Sequence, residues 1–487
     1  MVQRPFPRRR ISNPALSADK TGVCEAPVLS LVPALICCMD SMDKRTFLKF
    51  LSGAATYSLG SFIPAEGAQV KLTNWAGNVE YSTDKLSEPR TVEQVRERVK
   101  AEPRLKVLGS RHCFNRIADS RYQFISLKSL PDEISLDAGA RTVSVNPAIT
   151  YGRLAPYLTE KGFALHNLAS LPHISVAGAC ATGTHGSGEK NGNLPTAVTA
   201  LELVNARGDL VRLSEEKDGD TFRGTVVGLG ALGVVTRMTL KLQPTFQMRQ
   251  YVYENMSVDQ VKAHFDAIQS SAYSVSLFTN WQNHSVSEVW VKCRQGDKMY
   301  DGPAEFFGAK RATKNLHPIE NLSAENCTEQ MGVPGPWYER LPHFRMGFTP
   351  SAGKELQTEY LLPRRHAVEA YLAVERLGAQ ISPHLLISEI RTMAADELWM
   401  SPAYRRPTVA IHFTWQQDWP AVSKLLPVIE RELGPFQPRP HWGKLFTVPH
   451  SQLAARYERM PDFIDLCRRF DPQGKFRNDF LNTNLFA

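Results

Sequence analysis

The chain has 487 residues, 43% of them hydrophobic, so it is long enough for two or three domains and carries ample apolar surface for their cores. Its formal net charge of +8 comes from scattered Lys and Arg residues without an aromatic-interleaved basic patch, a pattern that gives no nucleic-acid signal. Apart from the adjacent Cys37 and Cys38, the eight cysteines have the spacing of neither a zinc site nor a disulfide framework, so we expect no metal.

The first predicted element is an N-terminal leader, residues 1–68. Within it, Asp43 to Lys49 precede an apolar stretch, Phe50 to Ile63, in the manner of a twin-arginine export signal with Lys in place of the first Arg. The stretch is too interrupted to span a membrane stably. We expect a periplasmic or secreted protein whose mature chain begins near Gln69; the alternative is a cytoplasmic protein with a surface extension. Met42 could be the true start.

Next comes a turn, Val107-Leu-Gly-Ser-Arg-His112-Cys-Phe-Asn115, in which an apolar strand leads into Gly and Ser residues around a nucleophilic imidazole. Gly109 and Ser110 would let backbone N–H groups approach a pyrophosphate, and His112 could attach to the methyl carbon of a flavin's benzenoid ring. A histidine in such a turn is more often a capping or hydrogen-bonding residue, so the turn alone does not establish a flavin site.

A strand from Thr142 to Val145 and an amphipathic helix from Tyr151 to Glu160, ended by Gly162, separate this turn from a second small-residue segment. That segment, residues 168–188, holds Gly178, Gly183, Gly186 and Gly188 among Ser and Thr hydroxyls. We interpret it as a glycine-rich loop wrapped around a phosphate chain, with an ordinary surface loop as the alternative.

The motif Gly228-Leu-Gly230-Ala-Leu-Gly233 has the letters of a dinucleotide-binding fingerprint, which must follow a strand and open a helix. Here a helix-like stretch, Phe222 to Val227, precedes the glycines, and the β-branched run Val234 to Leu242 follows them. The order is reversed, so we reject a nicotinamide site of the Rossmann type.

From about Gln247 to Pro440, amphipathic helices alternate with strands, which predicts a second, α+β domain with an antiparallel sheet. Glu389 and Arg391 lie two apart on one predicted strand, and His412 and Thr414 two apart on another, so each pair shares one face. The four groups could form a binding site, or they could be an ion pair beside a satisfied histidine, and the spacing does not separate the two interpretations.

Six segments together resemble one family, the FAD flavoproteins of the vanillyl-alcohol-oxidase or p-cresol-methylhydroxylase type, and within it the bacterial alditol (xylitol/sorbitol) oxidases. The resemblance runs from about Leu72 to the C-terminus. The segments are Asn74-Trp-Ala-Gly-Asn78, Gly109 to Asn115, Ala169-Ser-Leu-Pro-His-Ile-Ser-Val-Ala-Gly178, Pro334 to Arg345, His441-Trp-Gly-Lys444 and Asp471 to Asn478.

The resemblance implies a two-domain α+β flavoprotein. It has a p-cresol-methylhydroxylase-type FAD-binding domain at 69–246, an antiparallel-sheet substrate domain at 247–440 and a segment, 441–487, that returns to the FAD domain. FAD would be bound covalently through His112 alone, because the second, cysteinyl anchor of some relatives aligns with Leu171. The implied cofactor-binding residues are Val107, Leu108, Gly109, Ser110, Arg111, His112, Cys113, Ser170, Ser175, Gly178, Thr182, Gly183, Thr184, His185, Val235 and Lys444.

The resemblance also implies the activity, oxidation of the primary alcohol of a polyol with O2 reduced to hydrogen peroxide, by an enzyme that we expect to be monomeric. Arg391, Lys444 and His412 would be the catalytic residues. Ser170, Glu389, Arg391, Thr414 and Lys444 would bind the substrate. The nearer alternative is an aldonolactone oxidase or dehydrogenase of the same fold, which usually has a histidine where this chain has Phe446. The remoter one is a non-catalytic exported sugar-binding protein.

Overall fold

The computed structural model describes residues 71–297, 302–345 and 354–487. The predicted export signal and the expected mature N-terminus near Gln69 lie outside the described residues. In the described part of the chain, no helix is long and apolar enough to cross a membrane.

The first described part of the chain, residues 71–246, is built from short strands and four α-helices. The strands are β1 (Leu86–Ser87), β2 (Lys106–Val107), β3 (Phe124–Ile125), β4 (Ile134–Asp137), β5 (Thr142–Val145), β6 (Phe163–Ala164), β7 (Val198–Val204), β8 (Leu210–Ser214), β9 (Val234–Lys241) and β10 (Gln243–Pro244). The helices are α1 (Val92–Ala101), α2 (Tyr151–Glu160), α3 (Val176–Ala181) and α4 (Glu215–Val226).

These strands form two main sheets. One is parallel, in the order β1-β3-β2, and the other is antiparallel, in the order β4-β5-β9-β7-β8. In β5 the buried Val143 and Val145 alternate with Thr142 and Ser144, as a strand with one face on the core requires. α2 ends before Gly162, whose φ of +83° suits glycine.

The second part of the chain adds long strands and the remaining helices. Its strands are β11 (Gln247–Ser257), β12 (Ser274–Thr279), β13 (Ser285–Arg294), β14 (Glu305–Phe306), β15 (Ala309–Arg311), β16 (Gly335–Pro336), β17 (Glu355–Pro363), β18 (Leu385–Met393), β19 (Thr408–Gln416) and β20 (Arg439–Pro440). Its helices are α5 (Val258–Ser270), α6 (Ala367–Glu375), α7 (Gly378–Ile381), α8 (Trp419–Leu433), α9 (His450–Arg456), α10 (Met460–Phe470) and α11 (Asp479–Leu485).

All ten of these strands join one antiparallel sheet, in the order β14-β15-β11-β13-β12-β18-β19-β17-β20, with β16 paired to β11. One face carries apolar residues of the central strands, such as Tyr360, Ile411 and Phe413, which pack with Leu426 and Ile429 of α8. Strand alternation therefore places the intervening polar residues of β17, β18 and β19 on the opposite face, and this is the face that meets the rest of the chain.

Most predicted elements are confirmed. β5 and α2 have the predicted bounds, and a helix does precede Gly228 while a strand follows Gly233, as the rejection of a Rossmann site required. The prediction that residues 168–188 are a loop throughout is wrong, because α3 forms inside it. Val176 and Cys180 of α3 are fully buried in the core, and that packing outweighs the turn tendency of the neighbouring glycines. The domain boundaries after residues 246 and 440 remain predictions.

Candidate active site

The turn after β2 is held by hydrogen bonds from two distant segments of the chain. Asn74 donates from Nδ2 to the Cys113 carbonyl at 2.9 Å, and the Phe114 N–H donates to the Gly443 carbonyl at 2.8 Å. Arg111 adopts a φ of +61° in this turn, a conformation that a non-glycine residue rarely takes without such support. The segments that begin at residues 74 and 441 thus fix the shape of the turn.

His112 projects from this turn into an aromatic pocket. Its ring lies 4.5 Å from that of Trp75 and 5.0 Å from that of His173, centroid to centroid. Burial, and after it the neighbouring His173 and Lys444, lowers the pKa of His112 to about 3. Nδ1 is buried and has no hydrogen-bond partner among the described residues. The ring is therefore a neutral imidazole with a free nitrogen, the form that can act as a nucleophile.

Beside the turn, Ser175 sits between two glycines. A Cβ added to Gly109 or Gly178 would come within 2.9 or 2.7 Å of Ser175 Oγ, so neither position has room for a side chain. Ser175 Oγ is itself buried without a partner in the described part of the structure. Buried hydroxyls are normally hydrogen-bonded, so this small-residue cradle has the character of a site for a polar ligand.

The turn and the cradle line one wall of a cavity with about 1770 Å³ of empty space, solvent at its mouth included. The glycines of the rejected dinucleotide motif, Gly228, Gly230 and Gly233, lie along the same cavity. On the far side, the cavity is closed by the polar face of the large sheet, through Glu359 of β17 and Arg391 of β18.

Three residues of that face form a row across adjacent strands. Glu359 is paired with His412 of β19, and His412 is paired with Glu389 of β18. Directly opposed residues of an antiparallel pair have their Cβ atoms about 5 Å apart, so the register brings the three side chains together. Arg391, two residues beyond Glu389 on β18, points to the same face.

Glu359 is the electrostatic centre of this face. Its side chain has no exposed surface, and it accepts hydrogen bonds from Lys444 Nζ at 2.7 Å and from Arg391 Nη2 at 3.0 Å, while His185 Nε2 lies 3.2 Å away. Burial alone would raise the pKa of Glu359, but Lys444, His185 and Arg391 hold it well below its usual range. A charged carboxylate thus fixes the two cations at the cavity wall.

His412 stays uncharged next to these ions. Burial, and after it the charge of Lys444, holds the pKa of His412 well below its usual range. Its Nε2 is buried and has no hydrogen-bond partner among the described residues. Whether these strands form a binding site or an ion pair beside a satisfied histidine stays open, and a ligand hydroxyl is one partner that Nε2 can take.

The cavity continues into a second chamber past Ser170 and His412, which line both spaces. Glu389 and Thr414 line this second chamber, together with His343 from the loop before residue 345. Burial would raise the pKa of Glu389, but Arg391 and His343 keep it below its ordinary value, so it faces the chamber as a carboxylate. The chamber can offer acceptors and donors to several hydroxyl groups at once.

The structure brings together nearly all residues predicted from the sequence. Those that line the first cavity are Val107, Leu108, Gly109, Ser110, Arg111, His112, Cys113, Ser170, Ser175, Gly178, Thr182, Thr184, His185, Val235, Arg391, His412 and Lys444. Those that line the second chamber are Ser170, Glu389, His412 and Thr414. Gly183 does not line either space; the position of its absent side chain faces Pro402, since a Cβ there would meet Pro402 Cδ at 3.0 Å.

Sequence reasoning missed Glu359, Gln357, His343 and Lys292. For two of them a signal existed: Glu355, Gln357 and Glu359 lie two apart along β17, with the spacing that site residues have on β18 and β19. His343 and Lys292 carried no such signal, because a lone histidine in a loop and a lysine in an apolar strand have many structural explanations.

Comparison with known proteins agrees with this geometry. A family model described as "FAD binding domain" matches residues 84–214, and one described as "D-arabinono-1,4-lactone oxidase" matches residues 350–484. The solved crystal structure of cholesterol oxidase from B. sterolicum superposes with a TM-score of 0.68 over 85% of this chain and 96% of its own, at 13% identity, which shows a shared fold.

The FAD-binding half, the small-residue cradle and the polar sheet face over one cavity define an FAD-dependent oxidoreductase. Alditol oxidase from Streptomyces sp. is 46% identical over 417 residues, which cover 85% of this chain and 99% of that protein. L-Gulonolactone oxidase from Mus musculus is 24% identical over 86% of this chain and 98% of its own length. The chain belongs to the alditol oxidase family of FAD flavoproteins.

The residues present fit FAD on structural grounds of their own. The unpartnered Ser175 Oγ lies between Gly109 and Gly178, where backbone can approach a phosphate closely, and the free His112 Nδ1 lies in the same cavity. These two features would hold the dinucleotide on one wall. The ionic face of the sheet lies on the opposite wall, where a substrate would bind.

Proposed function

We propose that the protein oxidises the primary alcohol of an alditol, such as xylitol or sorbitol, to the aldose, with O2 reduced to hydrogen peroxide. The observation that carries this proposal is the cavity that joins the His112 turn to Glu359, Arg391 and His412, with Glu389 in the adjacent second chamber. The similarity to a Streptomyces alditol oxidase supports it.

The charges at the site suit an uncharged polyol. Two buried carboxylates, Glu359 and Glu389, balance two cations, the buried Arg391 and the partly buried Lys444. The wall therefore has no surplus positive charge to attract an acid. It offers hydrogen-bonding groups from several directions, which suits a molecule with a hydroxyl on every carbon.

The residues have distinct roles in the proposed reaction. FAD, when bound, supplies the acceptor for the hydride of the carbinol carbon. Lys444 and Arg391 donate to the substrate oxygen and stabilise its developing negative charge. His412 Nε2, neutral and unpartnered, accepts the hydroxyl proton. Glu389, Ser170 and Thr414 hold the neighbouring hydroxyls.

A substrate panel tests the proposal. We expect xylitol or sorbitol to give the highest kcat/KM, with peroxide formed in step with polyol consumed. The panel also includes gulono- and galactonolactone, because the second family model and several relatives carry lactone oxidase names. A lactone that exceeds every polyol in kcat/KM would refute the assignment, and a dye reduced in place of O2 would make the protein a dehydrogenase.

We propose further that FAD is tethered through His112 alone. The buried, neutral ring with a free Nδ1 supports a nucleophilic role, and Leu171, at the position of a second anchor in some relatives, cannot form such a bond. After acid precipitation, the yellow colour should remain with the protein. It should pass into the supernatant for His112→Ala; a variant that keeps its tether would contradict the proposal.

Export is proposed from the sequence alone. The Lys44-Arg45 pair and the apolar residues after it support a twin-arginine route, which carries folded proteins and so suits an enzyme that binds its cofactor first. Mass spectrometry of protein from its native host should find an N-terminus near Gln69. A chain that begins at Met1 or Met42 would make the segment an extension instead.

A further inference from the structure

Behind Glu389 lies a buried pair of residues that no part of the proposed reaction uses, Lys292 of β13 and His343 of the loop before residue 345. Their exposed fractions are 1% and 5%. Lys292 Nζ is 3.1 Å from His343 Nδ1, and His343 Nε2 is 2.7 Å from Glu389 Oε1. The three side chains form a chain of contacts that ends at the second chamber.

The contact with Glu389 determines which nitrogen of His343 carries the proton: a carboxylate only accepts, so Nε2, at 2.7 Å, donates and Nδ1 accepts. Lys292 Nζ donates to the carbonyls of Leu341 at 2.7 Å and Pro342 at 3.0 Å, which leaves the third N–H of an ammonium group for His343 Nδ1. The order of donors, from Lys292 through His343 to Glu389, is therefore fixed.

His343 is neutral in this arrangement. Burial, and after it the charge of Lys292, lowers the pKa of His343 to about 4. The ring is also held by its surroundings, since Phe278 and Trp290 meet it edge to face at 5.4 and 5.2 Å between centroids. A ring locked in position and tautomer can orient the carboxylate to which it donates.

Glu389 needs such an orientation if it binds hydroxyl groups. Its contacts with His343 and with Arg391 Nε, at 3.5 Å, both fall on Oε1. From the described residues, no hydrogen bond reaches Oε2, so that oxygen is available to a ligand in the second chamber. The side chain is held by one oxygen and can present the other.

We propose that Lys292 and His343 are positioning residues, which act through Glu389 to set the orientation of its free oxygen toward the substrate hydroxyls next to the reacting carbon. The inference rests on the proposed role of Glu389 in substrate binding. It adds that affinity for the polyol depends on a lysine and a histidine, and that the lysine has no effect without the histidine.

A matched pair of substitutions at His343 tests the proposal. Glutamine can donate from Nε2 to Glu389 and accept from Lys292 with Oε1, whereas leucine can do neither. We expect His343→Leu to raise KM about tenfold, the usual effect of losing one charge-assisted hydrogen bond, with a smaller change in kcat. His343→Gln should stay within about threefold of wild type.

Lys292→Met tests the order of action. Alone it should raise KM as His343→Leu does, but added to His343→Leu it should raise KM no further, since coupled residues are non-additive. Lys475→Met is the control, because Lys475 is another buried lysine, bonded to the Val99 carbonyl and outside both chambers. It should leave KM unchanged.

All variants are compared at equal flavin content, on whichever substrate the wild-type enzyme oxidises fastest. A wild-type preference for a lactone would refute the proposed function and leave this comparison intact. Equal KM values for His343→Gln and His343→Leu, or additive effects of Lys292→Met and His343→Leu, would overturn the positioning role.

Discussion

Replacement of Glu359 by glutamine tests the electrostatic reasoning most directly. Glutamine has the same size and shape, so the substitution removes a charge without leaving a hole. Its single oxygen can accept from Lys444 or from Arg391, but its NH2 group then faces the other cation. Lys444 loses its counterion and Arg391 keeps only Glu389, at 3.5 Å, while neither cation can move freely into water because most of each side chain is inaccessible.

The structure sets the scale of the effect. Glu359 holds two cations at 2.7 and 3.0 Å with its side chain wholly inaccessible, so it is one partner of a buried ion network. Removal of one partner from a buried ion pair costs about 3–5 kcal/mol of unfolding free energy. Displacement of Lys444 and Arg391 should also lower kcat/KM by about 10²-fold, since misplacement of a catalytic group by about 1 Å has an effect of that size.

Glu430→Gln is the matched control. Glu430 is a half-buried carboxyl group, but its partners are the hydroxyls of Tyr360 and Thr447, with Tyr360 at 2.9 Å, and the Thr447 backbone N–H. Urea unfolding and steady-state kinetics are measured for both variants and for Glu359→Asp, which keeps the charge. We expect Glu359→Gln to lose the most stability and activity. If the free energy of unfolding and the kcat/KM of Glu359→Gln both lie within twofold of the values for Glu430→Gln, the central role of Glu359 is refuted.

Other consequences follow from the same site. Arg391→Ala should lower kcat by about 10²–10³-fold, because removal of one preorganised donor to a developing oxyanion costs about 3–4 kcal/mol, and full activity at normal flavin content would contradict this. Glu389→Ala should raise KM at least as much as it lowers kcat, and a pure kcat effect would argue against a role in binding hydroxyls. Acidification should destabilise the protein. Burial lowers the pKa of His343 to about 4 and holds the pKa values of His412 and His441 well below the usual range. In the unfolded chain the same histidines take up protons near pH 6.5. The free energy of unfolding should therefore fall below pH 6.5 by up to about 1.4 kcal/mol per pH unit for each histidine, and urea midpoints that agree at pH 7 and pH 5 would exclude it.

The sequence by itself determined the local features of this protein. The spacing of two along β18 and β19 placed Glu389 with Arg391 and His412 with Thr414, because side chains alternate strictly along a strand. The order of helix and strand around the glycines at 228–233 excluded a nicotinamide site of the Rossmann type. That order could be predicted because the hydrophobic pattern of neighbouring residues distinguishes a helix from a strand.

Only the tertiary structure decided how those elements meet. Strand register paired Glu359 with His412, and no spacing within either strand contains that information. Lys292 contacts His343, which is 51 positions away in the sequence, and His343 contacts Glu389, a further 46 positions away. The fold brings these distant residues together. Gly183 lines neither space, and α3 formed in a glycine-rich segment because packing against the core outweighs local tendency. A site built from distant strands depends on long-range register, which the sequence specifies only through the energy of the whole fold.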